Sequence, residues 1–302
     1  MKKKLIVIEG PTASGKTALG VELAKYFNTV IISADSRQFY KELEIGTAKP
    51  TLEEQQGIKH YFIDSHLLED EVSSGRYANE VDELLKDLFL VHDIVLMVGG
   101  SGMFIDAVCI GLDQIPSSQV IRRNLNKEFE EKGIEPLLIE LRKKDVTFFE
   151  NVDKSNPVRI IRALEAIRSS GKTMTELRTQ TVKKHNFEIQ RFVINHPRKH
   201  LYERINSRVD QMIKNGLLDE VKSVYNRKGI NTLKTVGYSE MFSFLDGEIT
   251  IERAVELIKQ NTRRYAKRQL TWFRRHADAI WLDSIDLEGM VLEVIQKNNF
   301  LE

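Results

Sequence analysis

Apolar residues in this chain fall into two arrangements. Short runs at Leu5 to Glu9, Val30 to Ser33, His60 to Asp64, Ile94 to Val98, Arg191 to Asn195 and Ala279 to Leu282 are β-rich, and several are apolar at nearly every position. That is the pattern of strands covered on both faces. Between the runs, apolar residues return every three or four positions, as Tyr77, Val81, Leu84, Leu85 and Leu88 do within Arg76 to Leu90, the mark of a helix with one buried stripe. Strands alternating with helices predict a parallel sheet of the α/β class with helices on both faces. From about Pro116 to Asn186 the strand pattern disappears and charged helical sequence, including Asn156 to Ser170, replaces it. Strand-like Phe192-Val193-Ile194 then follows, and long helices dominate after Pro197. The expected organisation is a discontinuous core of residues 1–115 and 190–302 carrying an all-helical insertion at 116–189.

Composition narrows the picture without naming a chemistry. The 302 residues are 41% apolar and 29% charged, values of a folded globular chain and not of a disordered one. The 45 basic and 44 acidic side chains leave a formal charge of +1, so a polyanionic partner must be met by a local patch and not by the field of the whole molecule. Cys109 is the single cysteine, which excludes an internal disulfide or a thiolate zinc site, fits a reducing compartment and reads as a small core residue. The basic start Met1-Lys2-Lys3-Lys4 is followed by an apolar run that stops at Glu9, too short for a signal peptide, and no run approaches a membrane span. A cytoplasmic protein without membrane contact is expected.

The chemistry begins at the end of the first strand. Gly10-Pro11-Thr12-Ala13-Ser14-Gly15-Lys16-Thr17 fits the phosphate-loop pattern GxxxxGK[ST] at every defined position, between a strand and a helical run that begins Ala18-Leu19. Backbone N–H groups of such a loop curl around an anion, and the following helix adds its positive N-terminal end. Lys16 is placed to neutralise terminal phosphate oxygens and the Thr17 hydroxyl to bind Mg²⁺. The core is therefore expected to be P-loop NTPase-like. Ile94 to Val98, however, ends in Gly99-Gly100-Ser101-Gly102 and not in the Asp that orients magnesium in hydrolysing relatives of this loop. Ser101 sits at a strand's C-terminal end, where open α/β sheets bind ligands.

The second strand delivers Asp35-Ser36-Arg37-Gln38 to the same edge. Asp35 is a candidate general base on an acceptor nucleophile, or else a helix N-cap. Arg37 and Gln38 beside it suit an acceptor with hydrogen-bonding edges, and Gln38 is a candidate reader of a base edge. Arg204 and Arg208, one helical turn apart, form either a clamp on a diphosphate or a solvated salt-bridged face. Residues 262–275 contain no acid, and Arg263, Arg264, Lys267, Arg268, Arg274 and Arg275 interleave with Tyr265, Trp272 and Phe273. Basic plus aromatic suits RNA stacking and phosphate contact, while the aromatics suit a core face equally. His196 and His200 are four apart, but Pro197 lies between them and no local carboxylate completes a metal motif.

Taken together, these residues resemble those of the tRNA dimethylallyltransferases. The resemblance runs through GPTASGKT at Gly10 to Thr17, ADSRQFY at Ala34 to Tyr40, IGTAKP at Ile45 to Pro50, HYFID at His60 to Asp64 and GGSGMF at Gly99 to Phe104. It continues in NPVRIIRALE at Asn156 to Glu165, LYERINSRVDQM at Leu201 to Met212, VGYSE at Val236 to Glu240 and TRRYAKRQLTWFR at Thr262 to Arg274. It implies that the loop holds an allylic diphosphate, and that a dimethylallyl group passes to N6 of the adenosine 3′ to the anticodon with release of diphosphate. It implies Asp35 as the base, Ser101 beside the reacting groups, Asp35 to Gln38 facing the nucleotide, and tRNA contact at Arg123 and at Arg159, Ile160, Ile161, Arg162 and Ala163. The implied partners are dimethylallyl diphosphate, Mg²⁺ and a tRNA anticodon stem-loop, bound by a monomer of bacterial type. Two departures stand out: Ser101 and Phe104 replace the Thr and Tyr common in the family's GGTxLY loop, and the usual Asp-Pro after this loop's helix is absent, with Ser117-Ser118-Gln119 in that region.

The exocyclic amine of adenine is a weak nucleophile, so such a site must align it, take its proton and stabilise a polyanionic leaving group. A base stacked in a loop has to be flipped out to reach a carboxylate. Two rivals share parts of the pattern. A small-molecule kinase holding ATP at Lys16 has no need of the basic and aromatic helix, and a non-catalytic RNA-binding module has no need of Asp35.

Overall fold

The computed structural model describes residues 2–70, 72–113, 115–179, 182–283 and 286–298. The chain divides into two compact units, Ile110–Lys183 and the remainder, Met1–Cys109 with Lys184–Glu302. In chain order the larger unit begins β1 (Lys4–Glu9), α1 (Lys16–Tyr26), β2 (Ile31–Ser33), α2 (Leu52–Gln55), β3 (His60–Tyr61), α3 (Ser74–Val91), β4 (Ile94–Gly99) and α4 (Gly102–Cys109). The smaller unit holds α5 (Gln119–Lys132), α6 (Glu135–Lys144), α7 (Val146–Asn151), α8 (Pro157–Ser170) and α9 (Met174–Leu177). The larger unit resumes with β5 (Glu188–Ile194), α10 (Arg198–Lys214), α11 (Leu217–Ser223), α12 (Tyr238–Leu245), α13 (Ile251–Phe273), β6 (Ile280–Leu282) and α14 (Leu287–Lys297).

Six strands among the described residues form one parallel sheet in the order β3-β2-β4-β1-β5-β6. β1 lies inside it, paired to β4 and β5, and Leu5, Ile6, Val7 and Ile8 are all fully buried because both faces are covered. Ile6, Ile8, Leu96, Val98, Phe192 and Ile194 meet Leu19 and Leu23 of α1 and Met290, Val294 and Ile295 of α14 in one core. α3 packs on β4 and α4, and its Tyr77 anchors it by donating to the Ser33 carbonyl at 2.8 Å. All connections running forward return the C-terminal strand ends to one edge, the edge at which a parallel sheet binds ligands.

Where the elements differ from expectation the backbone gives the reason. β3 stops at Tyr61 because Phe62 and Asp64 adopt positive φ, 62° and 53°, which no strand tolerates. β5 begins at Glu188, earlier than the expected Arg191, since Glu188 already registers with Lys4 of β1. The smaller unit correspondingly spans Ile110–Lys183 against the expected 116–189. His185 bonds the Cys109 carbonyl at 3.0 Å and Phe187 packs on Phe89, so residues 185–188 are core. α1 starts at Lys16, before the expected Ala18. Within the smaller unit Leu125, Leu137, Leu141, Phe148, Ile160, Leu164 and Ile167 make a separate apolar core.

Candidate active site

The loop Gly10–Gly15 leads from β1 into α1 and is held from outside by its neighbours. Ala13 is buried in a small cluster with Leu201 and Ile205 of α10 and Ala266 of α13. Arg204 Nε donates to the Ala13 carbonyl at 2.7 Å, and His196 Nε2 donates to the Ser14 carbonyl at 2.8 Å. Gln269 Oε1 accepts the Thr12 N–H at 2.9 Å. Lys16 Nζ folds back on the Pro11 carbonyl at 2.8 Å. Burial lowers the Lys16 pKa to about 8; the negative charge of Asp35 works against the shift and the positive charge of Arg208 adds to it. The Ser14 hydroxyl is buried without a hydrogen-bond partner among the described residues, an uncompensated group of the kind a bound anion satisfies.

The two arginines left open by the sequence both lie beside this loop. The Arg204 guanidinium comes within 3.6 Å of where a Cβ on Gly15 would lie. Arg208 feels the charges of Arg204, Glu54 and Asp35, with burial the main cause of its lowered pKa. Neither has a carboxylate within ion-pair distance among the described residues, which sets aside the salt-bridged face. His196 is part of the loop's scaffold, its Nδ1 buried with no hydrogen-bond partner among the described residues and its pKa lowered chiefly by burial. The described residues hold no group of three or more His, Cys, Asp or Glu side chains able to cage a metal. Mg²⁺ keeps several of its waters and binds through few protein ligands plus phosphate oxygens. The half-buried Thr17 hydroxyl, with no hydrogen bond to another described residue, is the group able to join it.

The acceptor side is built from the ends of β2 and β4. Gly99 lets them meet: a Cβ there would lie 2.2 Å from the Ala34 carbonyl oxygen. The approach lets Ser101 donate its N–H to that carbonyl at 3.1 Å. Ser101 Oγ in turn accepts the Ser36 N–H at 3.0 Å and donates to the Ser36 hydroxyl at 3.2 Å. Asp35 caps no helix. Its Oδ1 accepts the Arg37 N–H at 3.1 Å in a side-chain turn, and the chain stays in turns to residue 39. Asp35 lies close enough to be felt by Lys16, Arg208 and Tyr265. The hydroxyl of Tyr265 of α13 is pushed up to about 12, first by burial and then by the Asp35 charge. Gln38 is less free than its role as a base reader requires, because Nε2 donates to the Thr47 and Ala48 carbonyls at 3.3 and 3.1 Å. Phe104 packs edge-on to Phe39, 5.7 Å between ring centres, and near Tyr77, so the missing tyrosine hydroxyl leaves an aromatic core intact.

The smaller unit separates the residues grouped by the RIIRA motif. Asn156 caps α8 by accepting the Arg159 N–H, and Pro157 takes the first turn. Ile160, Ile161 and Ala163 then face the unit's core and are buried, so their side chains are not surface contacts for RNA. Arg162 donates to the Ile115 and Pro116 carbonyls, both at 3.1 Å, and pairs with the buried Glu165. Arg159 on α8 and Arg123 on α5 remain exposed.

Along α13 Phe273 turns inward, Trp272 is half-buried, Tyr265 stays exposed, and most of the cations face outward. Phe273 is fully buried, and Trp272 Nε1 donates to Asp106 Oδ2 at 2.7 Å. Arg264, Lys267, Arg268, Arg274 and Arg275 are exposed, with Arg275 lying 4.4 Å over the Trp272 ring. Sequence reading missed Gln269, Tyr265 and His196 as parts of the site. The available signal was the spacing of Ala266, Gln269 and Phe273, which puts a glutamine in a helix's buried stripe.

Residues 38–276 match the family described as IPP transferase. A tRNA dimethylallyltransferase of Cytophaga hutchinsonii is 45% identical over 93% of this chain and 93% of its own length. One of Bacteroides fragilis is 46% identical over 97% and 98%. Among solved structures, a tRNA isopentenylpyrophosphate transferase of Bacillus halodurans is 36% identical with TM-score 0.71, covering 98% of this chain and 96% of that one. A eukaryotic dimethylallyltransferase acting on tRNA is 26% identical with TM-score 0.83, over 99% of this chain and 79% of that one. With a glycine-ended β4, a phosphate cradle and an aspartate on one sheet edge, and relatives matching at nearly full length, the chain belongs to the IPP transferase family of tRNA dimethylallyltransferases.

Proposed function

We propose that this chain transfers the dimethylallyl group of dimethylallyl diphosphate to N6 of the adenosine 3′ to a tRNA anticodon. The observation that carries the residue roles is the convergence of Lys16, Asp35, Arg208, Ser101 and Tyr265 at the C-terminal ends of β1, β2 and β4. The diphosphate of the donor occupies the loop Gly10–Thr17, where Lys16, the loop amides, Arg204 and Arg208 meet the charge that grows as the allylic C–O bond lengthens. N6 forms the new bond to C1, the C1–O bond breaks, and the bonding pair leaves with diphosphate. Asp35 takes the N6 proton. Ser101, tied to Ser36, positions the amine. Mg²⁺, when bound, neutralises diphosphate oxygens, and Thr17 holds it.

The exposed cations of α13, with Arg123 and Arg159 of the insertion, meet phosphates of the anticodon stem-loop. Arg37 and the backbone fixed by Gln38 face the flipped base. No described helix is long and apolar enough to cross a membrane, and a monomer acting on cytoplasmic tRNA fits this reading. The kinase rival loses ground because β4 ends in Gly99 and supplies no magnesium-orienting acid there.

The test is a choice of donors. The chain is incubated with unmodified tRNA, Mg²⁺ and either labelled dimethylallyl diphosphate or γ-labelled ATP. Label entering tRNA from the allylic donor alone is the expected result. Phosphoryl transfer from ATP to a small acceptor would replace the reading with a kinase, and RNA binding without transfer would reduce it to a binding module.

A further inference from the structure

The glycine loop after β4 is met residue by residue by one face of α13. A Cβ on Gly100 would lie 2.4 Å from Gln269 Nε2, and a Cβ on Gly102 would lie 2.3 Å from Trp272 Cδ1. Residues 269 and 272 lie one helical turn apart, so one side of α13 contacts both glycines that flank Ser101. Gln269 stands apart because it also reaches the other loop. Its Oε1 accepts the Thr12 N–H at 2.9 Å while its Nε2 donates to the Gly100 carbonyl at 2.8 Å. The side chain is 6% exposed, so water does not substitute for either bond.

We propose that Gln269 is a positioning residue that locks the diphosphate cradle and the Ser101 loop to each other, setting the spacing between leaving group and acceptor. The inference rests on the transfer reading above. The amide suits the task because it offers an acceptor at one end and a donor at the other, and the two loops present one of each. A carboxylate lacks the donor and an alkyl side chain lacks both, leaving a buried carbonyl unpaired. Transfer depends on the separation of C1 from N6, so slack between the loops is felt in the chemical step as well as in donor binding.

The experiment compares wild type, Gln269→Met, Gly100→Ala and the double variant as full-length chains in steady-state transfer, with tRNA affinity measured in parallel. Gln269→Met keeps the shape and removes the amide. Gly100→Ala expels the amide from the loop side. Each single variant is expected to raise donor KM and lower kcat by about tenfold or more, with tRNA Kd within about twofold of wild type. In the Gly100→Ala background the bridge is already broken, so adding Gln269→Met is expected to change either constant by less than about twofold. If Gln269→Met fails to fold, Gly100→Ala alone gives the answer through the same two constants. A lowered melting temperature with unchanged KM and kcat, or independent losses in the two backgrounds, overturns the inference. A wild type that transfers nothing overturns the underlying reading and the inference with it.

Discussion

Asp35 uses one carboxylate oxygen to hold the Arg37 N–H, and the other has no hydrogen-bond partner among the described residues. Asp35→Asn keeps the turn, since an amide oxygen accepts equally well, and removes the base. We expect kcat to fall by about 10²–10⁴-fold with tRNA affinity retained, as read by single-turnover transfer and filter binding. A loss confined to affinity contradicts the assignment. Lys16 makes a second prediction through pH. Its pKa is lowered to about 8 by burial, so it is protonated and attractive to diphosphate below that pH and neutral above it. The kcat/KM for the donor is therefore expected to fall as pH rises through about 8, approaching tenfold per unit. A profile flat to pH 10 contradicts it. At this scale the sequence was most legible where a residue's task is local. The loop Gly10–Thr17 and Asp35 are read from their neighbours, whereas Ile160, Ile161 and Ala163 were grouped with Arg159 by motif and separated by the helical period that buries them.

The elements show why some partners escape a linear reading. Arg191 lies 3% exposed inside β5 and pairs with the fully buried Glu9 and, at 2.9 Å, with Asp106, which also meets Trp272 and His276. Those carboxylates sit 182 and 85 positions away, so only the β1–β5 register and the packing of α4 bring them together. Desolvation raises the Glu9 pKa, and Arg191 opposes the shift. Arg191→Leu leaves two carboxylates without their cation and is expected to destabilise the larger unit by about 3–5 kcal/mol, measured by its denaturant midpoint. A change below about 1 kcal/mol would show that the network is not a buried ion pair. The strands themselves were legible from their apolar runs, except β3, whose end depends on backbone angles at Phe62 and Asp64 that composition does not disclose.

For the whole molecule, a formal charge of +1 leaves RNA binding to local fields, and α13 supplies one. Removing two of its exposed cations, Arg264→Ala with Lys267→Ala, is expected to make the slope of log K against log salt for tRNA shallower by about 1.5. An unchanged slope places the phosphates elsewhere. The α/β core with a helical insertion followed from where strand pattern stopped and resumed. The bridge from α13 to both active-site loops did not, because a single glutamine acquires meaning only once the helix is seated. The most direct measurement is nucleoside mass spectrometry on tRNA incubated with the chain, Mg²⁺ and dimethylallyl diphosphate. The account predicts one isopentenyl increment on the adenosine 3′ to the anticodon, abolished when that adenosine is replaced by guanosine. An increment on another nucleoside, or none while γ-phosphate moves from ATP, would contradict it.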